Sequence, residues 1–146
     1  MSRFRLSPRV DLGVYYDADA PRYDVPGGNV LQIVTREVFV ACYRDCESIG
    51  FECDGQPIGG VIFDGEQAHI AVLPAYRGRW ATLLRPMLDW LFSLKPEIFV
   101  DVEADNALCL EFMRRNGWPI VSRRERWLTH RMTQQRLIPR ERRLSV

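Results

Sequence analysis

Residues 72–82 read Val72-Leu73-Pro74-Ala75-Tyr76-Arg77-Gly78-Arg79-Trp80-Ala81-Thr82. An apolar, strand-like run ends at Pro74, an Arg-Gly turn follows, and an apolar helical pattern begins at once. A loop that runs into a helix N-terminus offers unpaired N–H donors and partial positive charge, which suits an anionic phosphate group. Arg77 and Arg79 add cationic donors for charge-assisted contacts to phosphate. Just upstream lies His69, of the side-chain type that exchanges protons near neutral pH. Asp101 and Glu103 alternate along a later strand pattern and so share one face. Each also fits as an ordinary strand polar residue.

These residues need a frame. Val30, Val34, Val38 and Ala41 recur at helical spacing and predict a helix over residues 30–44. Strands are expected at 48–53, 57–63 and 66–73, with turns at Asp54-Gly55-Gln56 and Asp64-Gly65. A helix is expected over 80–94, with Pro86 near its start. A buried strand at 97–103 then implies a right-handed parallel crossover. A further helix spans 106–116, with Gly117 at a left-handed C-cap position, and strands at 119–123 and 126–132 end the pattern. Upstream, residues 10–16 read as a strand and 17–29 as a surface loop with breakers Pro21, Pro26, Gly27 and Gly28.

The chain has 146 residues, 47% of them hydrophobic, enough for one globular domain with a core. Twenty basic residues against 19 acidic ones leave no strong field for nucleic acid or membrane. Cys42, Cys46, Cys53 and Cys109 contain no Cys-x-x-Cys pair, so no metal site is expected and buried thiols are. No leader-like or membrane-spanning run is present, and a cytoplasmic protein is expected. From Val121 onward, eight arginines face Glu125 and Glu141. That fits either contact with phosphates or a solvated tail; no aromatic residues interleave with Arg136 to Arg143 to stack bases.

Val72-Leu73-Pro74-Ala75-Tyr76-Arg77-Gly78 is similar to the Val-x-Pro-x-x-Arg-Gly signature of the GNAT acetyltransferases, and Asn106 through Gly117-Trp118 resembles their Asn, amphipathic helix, Gly-Phe motif. The resemblance covers about residues 30–132. The wording of these segments also resembles GNAT-like proteins encoded by bacteriophages. The resemblance implies an α/β (α+β) fold: a mixed, mostly antiparallel central sheet with splayed strands 4 and 5 and helices on both faces. It implies one domain over 1–132, its core at 30–132, and an arginine-rich tail at 133–146. It further implies acetyl-CoA as co-substrate and no metal. The coenzyme would meet Ala71, Val72 and Leu73 on the fourth strand, then Arg77, Gly78, Arg79, Trp80, Ala81 and Thr82 on the loop, with Asn106 from the second motif.

Two departures bear on chemistry. Trp80 and Thr82 stand where the family carries glycine or a small residue. The Trp80 ring either turns inward, leaving its amide for the ligand, or fills the pyrophosphate seat. Met113 stands seven residues after Asn106, where many members place a proton-donating tyrosine; Cys109, one turn earlier on the same face, is either a substitute acid or a plain packed cysteine. By the same resemblance the base lies near Glu66, Gln67 and His69, and His69 is chosen with Glu66 second. The expected function is an acetyl-CoA-dependent N-acetyltransferase moving an acetyl group to a primary amine by direct attack in a ternary complex. The alternative is a catalytically silent GNAT-fold binding or structural protein, as in a phage particle. The expected partners are an amine acceptor, small molecule or protein, and a second copy in a homodimer; nucleic acid and membrane are not expected.

Overall fold

The computed structural model describes residues 2–23 and 26–134; the rest of the arginine-rich segment, residues 135–146, lies outside them. Contacts gather the chain into two compact units. The first runs to Gly65 and adds His69–Asp89; the second takes Glu66–Ala68 and continues from Trp90.

The first unit holds a four-stranded sheet in the order β1-β2-β3-β4, with β1 (Phe4–Ser7), β2 (Glu47–Cys53), β3 (Gln56–Phe63) and β4 (Ala68–Val72). β2 pairs antiparallel with both β1 and β3. Asp54 (φ 51°) and Gly55 (φ 83°) close the β2–β3 hairpin, the left-handed pair that a two-residue turn demands.

Three expectations fail on this side. The strand expected at 10–16 is instead α1 (Leu12–Asp19). Asp11 caps it, its Oδ1 accepting the Val14 amide at 3.1 Å, and Tyr15 and Ala18, one turn apart, form its buried face. The single helix expected at 30–44 is two, α2 (Val30–Ile33) and α3 (Arg36–Tyr43). Thr35 is extended, and its hydroxyl accepts the Val38 amide at 3.3 Å, so it starts a new helix. The helix expected from Trp80 becomes α-helical only at α4 (Leu84–Leu94), after a 3₁₀ turn at Ala81–Leu83. Pro86 has no N–H to give the Thr82 carbonyl, so no α-helical bond closes there. Tyr15, Ala18, Phe39, Ile62 and Ala71 cluster in a core where Phe39 lies between Tyr15 (centroids 5.6 Å) and Tyr43 (4.8 Å).

The second unit holds a three-stranded sheet in the order β5-β7-β6: β5 (Glu97–Glu103), β6 (Ile120–Arg124) and β7 (Trp127–Thr133), all antiparallel. Ile98, Val100 and Val102 alternate into its core, as the apolar spacing predicts. Gln67 makes a single parallel bridge to Phe99, whose amide donates to the Glu66 carbonyl at 3.1 Å. α5 (Ala107–Arg115) ends at Gly117 (φ 72°) in the expected left-handed cap. Among the described residues, no helix is long and apolar enough to cross a membrane.

Candidate active site

The loop between β4 and α4 is a series of tight turns. Pro74–Tyr76 forms a 3₁₀ turn, Gly78 takes φ 75°, and Ala81–Leu83 forms a second 3₁₀ turn. Several amides are consumed internally: Leu73 donates to Ile58, Tyr76 to Leu73, Arg77 to Pro74, Arg79 to Tyr76 and Leu83 to Trp80. The amide of Leu73, expected at the coenzyme, is therefore spent inside the sheet. The amides of Gly78, Trp80, Ala81 and Thr82 have no hydrogen-bond partner among the described residues. Those of Trp80, Ala81 and Thr82 are consecutive, and unpaired donors ahead of a helix suit an anion.

Trp80 stands at the centre of this run. Its ring packs on Phe51 of β2, centroids 5.0 Å apart, and the side chain is half-buried. The indole is thus spent on the sheet while its amide stays unpaired, and Thr82 and Ala81 are exposed. Arg79 lies over the rings of Phe4 (5.9 Å) and Tyr76 (5.5 Å) and reaches the Ser2 hydroxyl. Arg77 donates to the Ala18 carbonyl at 3.5 Å. Arg85, which belongs to no motif, is exposed in the first turn of α4 and has no ion pair among the described residues. Only its place beside Thr82 could have singled it out.

His69 leaves β4 half-exposed, with Nε2 2.9 Å from Asp64 Oδ2 and the Tyr43 ring at 6.3 Å. An imidazole that donates from Nε2 to a carboxylate keeps Nδ1 as a bare acceptor, the state a general base requires. Nδ1 has no partner among the described residues. Asp64, expected only as a hairpin residue, holds the His69 ring as well. His69 also lines a cavity of about 230 Å³ walled by Tyr15, Tyr16, Phe39 and Tyr43, with Asp19 at its wall. Burial, with Asp19 and Asp64 nearby, pushes the Tyr15 phenol well above its ordinary value and raises that of Tyr43, so both stay neutral. Sequence spacing does not show this cavity, because Tyr15 and Tyr16 of its wall fall in the segment expected as a strand and take their places only on α1.

The other expected site residues belong to the second unit. Glu66 is exposed. Asn106 caps α5, its Oδ1 accepting the Cys109 amide at 3.2 Å, and Cys109 is half-buried. Met113 is buried at 4% exposure. Asp101 is held by Arg124 (2.9 Å) and the Thr129 hydroxyl (2.6 Å), and Glu103 pairs with Arg126 at 3.9 Å. Three arginines counted with the basic tail, Arg124, Arg126 and Arg131, thus pair with carboxylates of β5. Cys42 is exposed rather than buried. No group of His, Cys, Asp and Glu among the described residues could hold a metal ion.

β4 is the outer strand of its sheet and β5 of its own, so each presents an edge of backbone groups. No protein-family model and no curated protein sequence matches the chain. Solved structures do. PH1933 from Pyrococcus horikoshii OT3 superposes at a TM-score of 0.69 and 15% identity, over 91% of this chain and 99% of its own. The PaiA N-acetyltransferase of Thermoplasma acidophilum, in complex with coenzyme A, gives 0.62 at 15% identity, over 90% and 99%. A GCN5-related N-acetyltransferase of Rhodopseudomonas palustris gives 0.62 at 19% identity, over 91% and 95%. The mixed α+β chain, with its antiparallel sheets and its phosphate-type loop after β4, has the fold of the GCN5-related N-acetyltransferases.

Proposed function

We propose that this chain is an acetyl-CoA-dependent N-acetyltransferase that moves an acetyl group to a primary amine by direct attack within a ternary complex. The observation that carries this reading is the run of unpartnered amides at Gly78, Trp80, Ala81 and Thr82. These donors would hold the pyrophosphate, with Arg85 adding charge and the edge backbone of β4 receiving the pantetheine arm. When bound, acetyl-CoA supplies a thioester whose acetyl group passes to nitrogen as the C–S bond breaks and the C–N bond forms. His69 takes the amine proton at Nδ1, oriented by Asp64. Positioning supplies much of the remaining rate.

Calorimetry with acetyl-CoA tests the reading: micromolar-range binding is expected, and no heat at millimolar ligand overturns it. With binding established, His69→Gln should lower kcat by about 10²-fold or more with the coenzyme Kd unchanged.

One observation favours a second reading, a binding protein without catalysis. Met113 is buried and has no proton to give, which leaves Cys109 as the only expected acid. Acetyl-CoA binding without acetyl transfer to any amine would select that reading.

A further inference from the structure

We propose that the cavity beside His69 is the acceptor pocket, and that it selects compact primary amines with an apolar, single-ring body and no carboxylate. This rests on the acetyltransferase reading and adds the substrate class. The cavity and all its lining residues lie within the first unit.

Size sets the first limit. About 230 Å³ is below the roughly 300–1,000 Å³ of pockets for drug-sized ligands, and it suits one ring with a short chain. Wall chemistry sets the second. Tyr15, Tyr16, Phe39 and Tyr43 present rings, and Val34 and Ile62 are aliphatic. The Tyr16 hydroxyl is already committed to the Val34 carbonyl at 2.8 Å. A polar acceptor body would shed water there with few partners, which is costly.

Charge sets the third limit. Among the described residues, Asp19 is the one acidic side chain that lines the cavity, and no lysine or arginine lines it. Arg22 meets Asp19 Oδ1 at 3.2 Å without itself lining the space. The second nearby carboxylate, Asp64, is bound to His69. An ammonium entering this space meets a carboxylate and ring faces, both attractive to cations. An amino acid would bring its own carboxylate against Asp19 with no lining cation to neutralise it. The pocket thus separates an arylalkylamine from the amino acid of the same skeleton.

The test uses the full chain and four probes: phenethylamine, phenylalanine, phenylalaninamide and ethanolamine. Binding is read by calorimetry and acetyl transfer by thiol release, with rates normalised to the neutral-amine fraction. Phenethylamine should bind and react at least tenfold better than phenylalanine and than ethanolamine. Phenylalaninamide, which keeps the bulk but loses the charge, should fall near phenethylamine. Asp19→Asn should narrow the phenethylamine-to-phenylalanine ratio at least fivefold. If that variant does not fold, the wild-type ratios decide alone. Equal use of phenylalanine and phenylalaninamide, or of ethanolamine and phenethylamine, overturns the proposal. If acetyl-CoA binds but phenethylamine does not, the pocket assignment fails and the enzyme reading stands. If acetyl-CoA does not bind, the enzyme reading fails, and the amine-binding ratios still decide the pocket's selectivity.

Discussion

The β4–α4 loop and helix α5 both begin a helix, and they treat their backbone donors in opposite ways. Among the described residues, the loop leaves the amides of Gly78, Trp80, Ala81 and Thr82 without partners. α5 spends its terminal groups on itself. Asn106 caps the first turn, and at the other end Trp118 donates to Met113 and Gly117 to Arg114, the paired bonds of a Schellman motif. Unpaired donors cost stability unless water or a ligand meets them, while satisfied ones contribute to it. The difference separates a segment with backbone donors left over from one that spends them on the fold. It also shows Asn106, expected among the coenzyme contacts, serving as the cap of α5.

The largest test of this contrast places a carboxylate among the unpaired amides. Thr82→Asp sits on an exposed position in the turn ahead of α4, where an acidic side chain favours helix initiation. Thermal stability should hold or rise slightly. Acetyl-CoA affinity, by calorimetry, should fall at least a hundredfold, since like charges about 4 Å apart repel by roughly 4 kcal/mol at an effective dielectric of 20. A drop below threefold would remove the loop from the binding site. Next in size, Trp80→Ala removes the ring from Phe51 and should cost about 2 kcal/mol of stability in lost apolar burial. If the backbone does the binding, the coenzyme Kd should change less than threefold. A tenfold loss would assign the indole to the ligand.

On the other side of the contrast, Asn106→Ala removes a cap and should cost about 1 kcal/mol by denaturant unfolding. Acetyl-CoA affinity should stay within threefold. A tenfold loss of affinity with unchanged stability would return Asn106 to the coenzyme and break the comparison.

How much of this was legible depends on whether local spacing decided the outcome. β5 alternates Ile98, Val100 and Val102, and its ends matched the expectation. The α5 helix carries its own punctuation in Asn106 and Gly117. The N-terminal region departs from its apolar spacing because two caps override it. Asp11 turns an apparent strand into α1, and Thr35 cuts one apolar stripe into two helices. The loop motif was readable, but not which amides it would leave unpaired; that depends on Gly78 at positive φ and on Pro86 delaying α4. His69 was readable as a residue type. Its orientation by Asp64 and its place beside the tyrosines of α1 were not, because no spacing within one element encodes them.

The smallest expected effect lies on the exposed face of α5. Glu111 accepts two hydrogen bonds from the Arg114 guanidinium (2.9 and 2.6 Å) and one from Arg115 (3.2 Å). The Arg114 contact holds the Glu111 carboxyl at about 2, against an ordinary 4.5. A carboxyl depressed on folding adds stability that is present above the unfolded value and is lost as pH falls through the folded one. The helix should therefore keep this contribution above about pH 4.5 and lose it toward pH 2. The group is fully exposed, so salt screens it and the effect on overall stability is small. The direct readout is the Glu111 carboxyl resonance followed by NMR from pH 5 downward. A midpoint near 2 that returns toward 4.5 in Arg114→Ala would show α5 holding its own charges as it holds its own amides. A midpoint already near 4.5 in the unaltered chain would mean that the fork is not formed in solution, and that the self-sufficiency of α5 stops at its backbone.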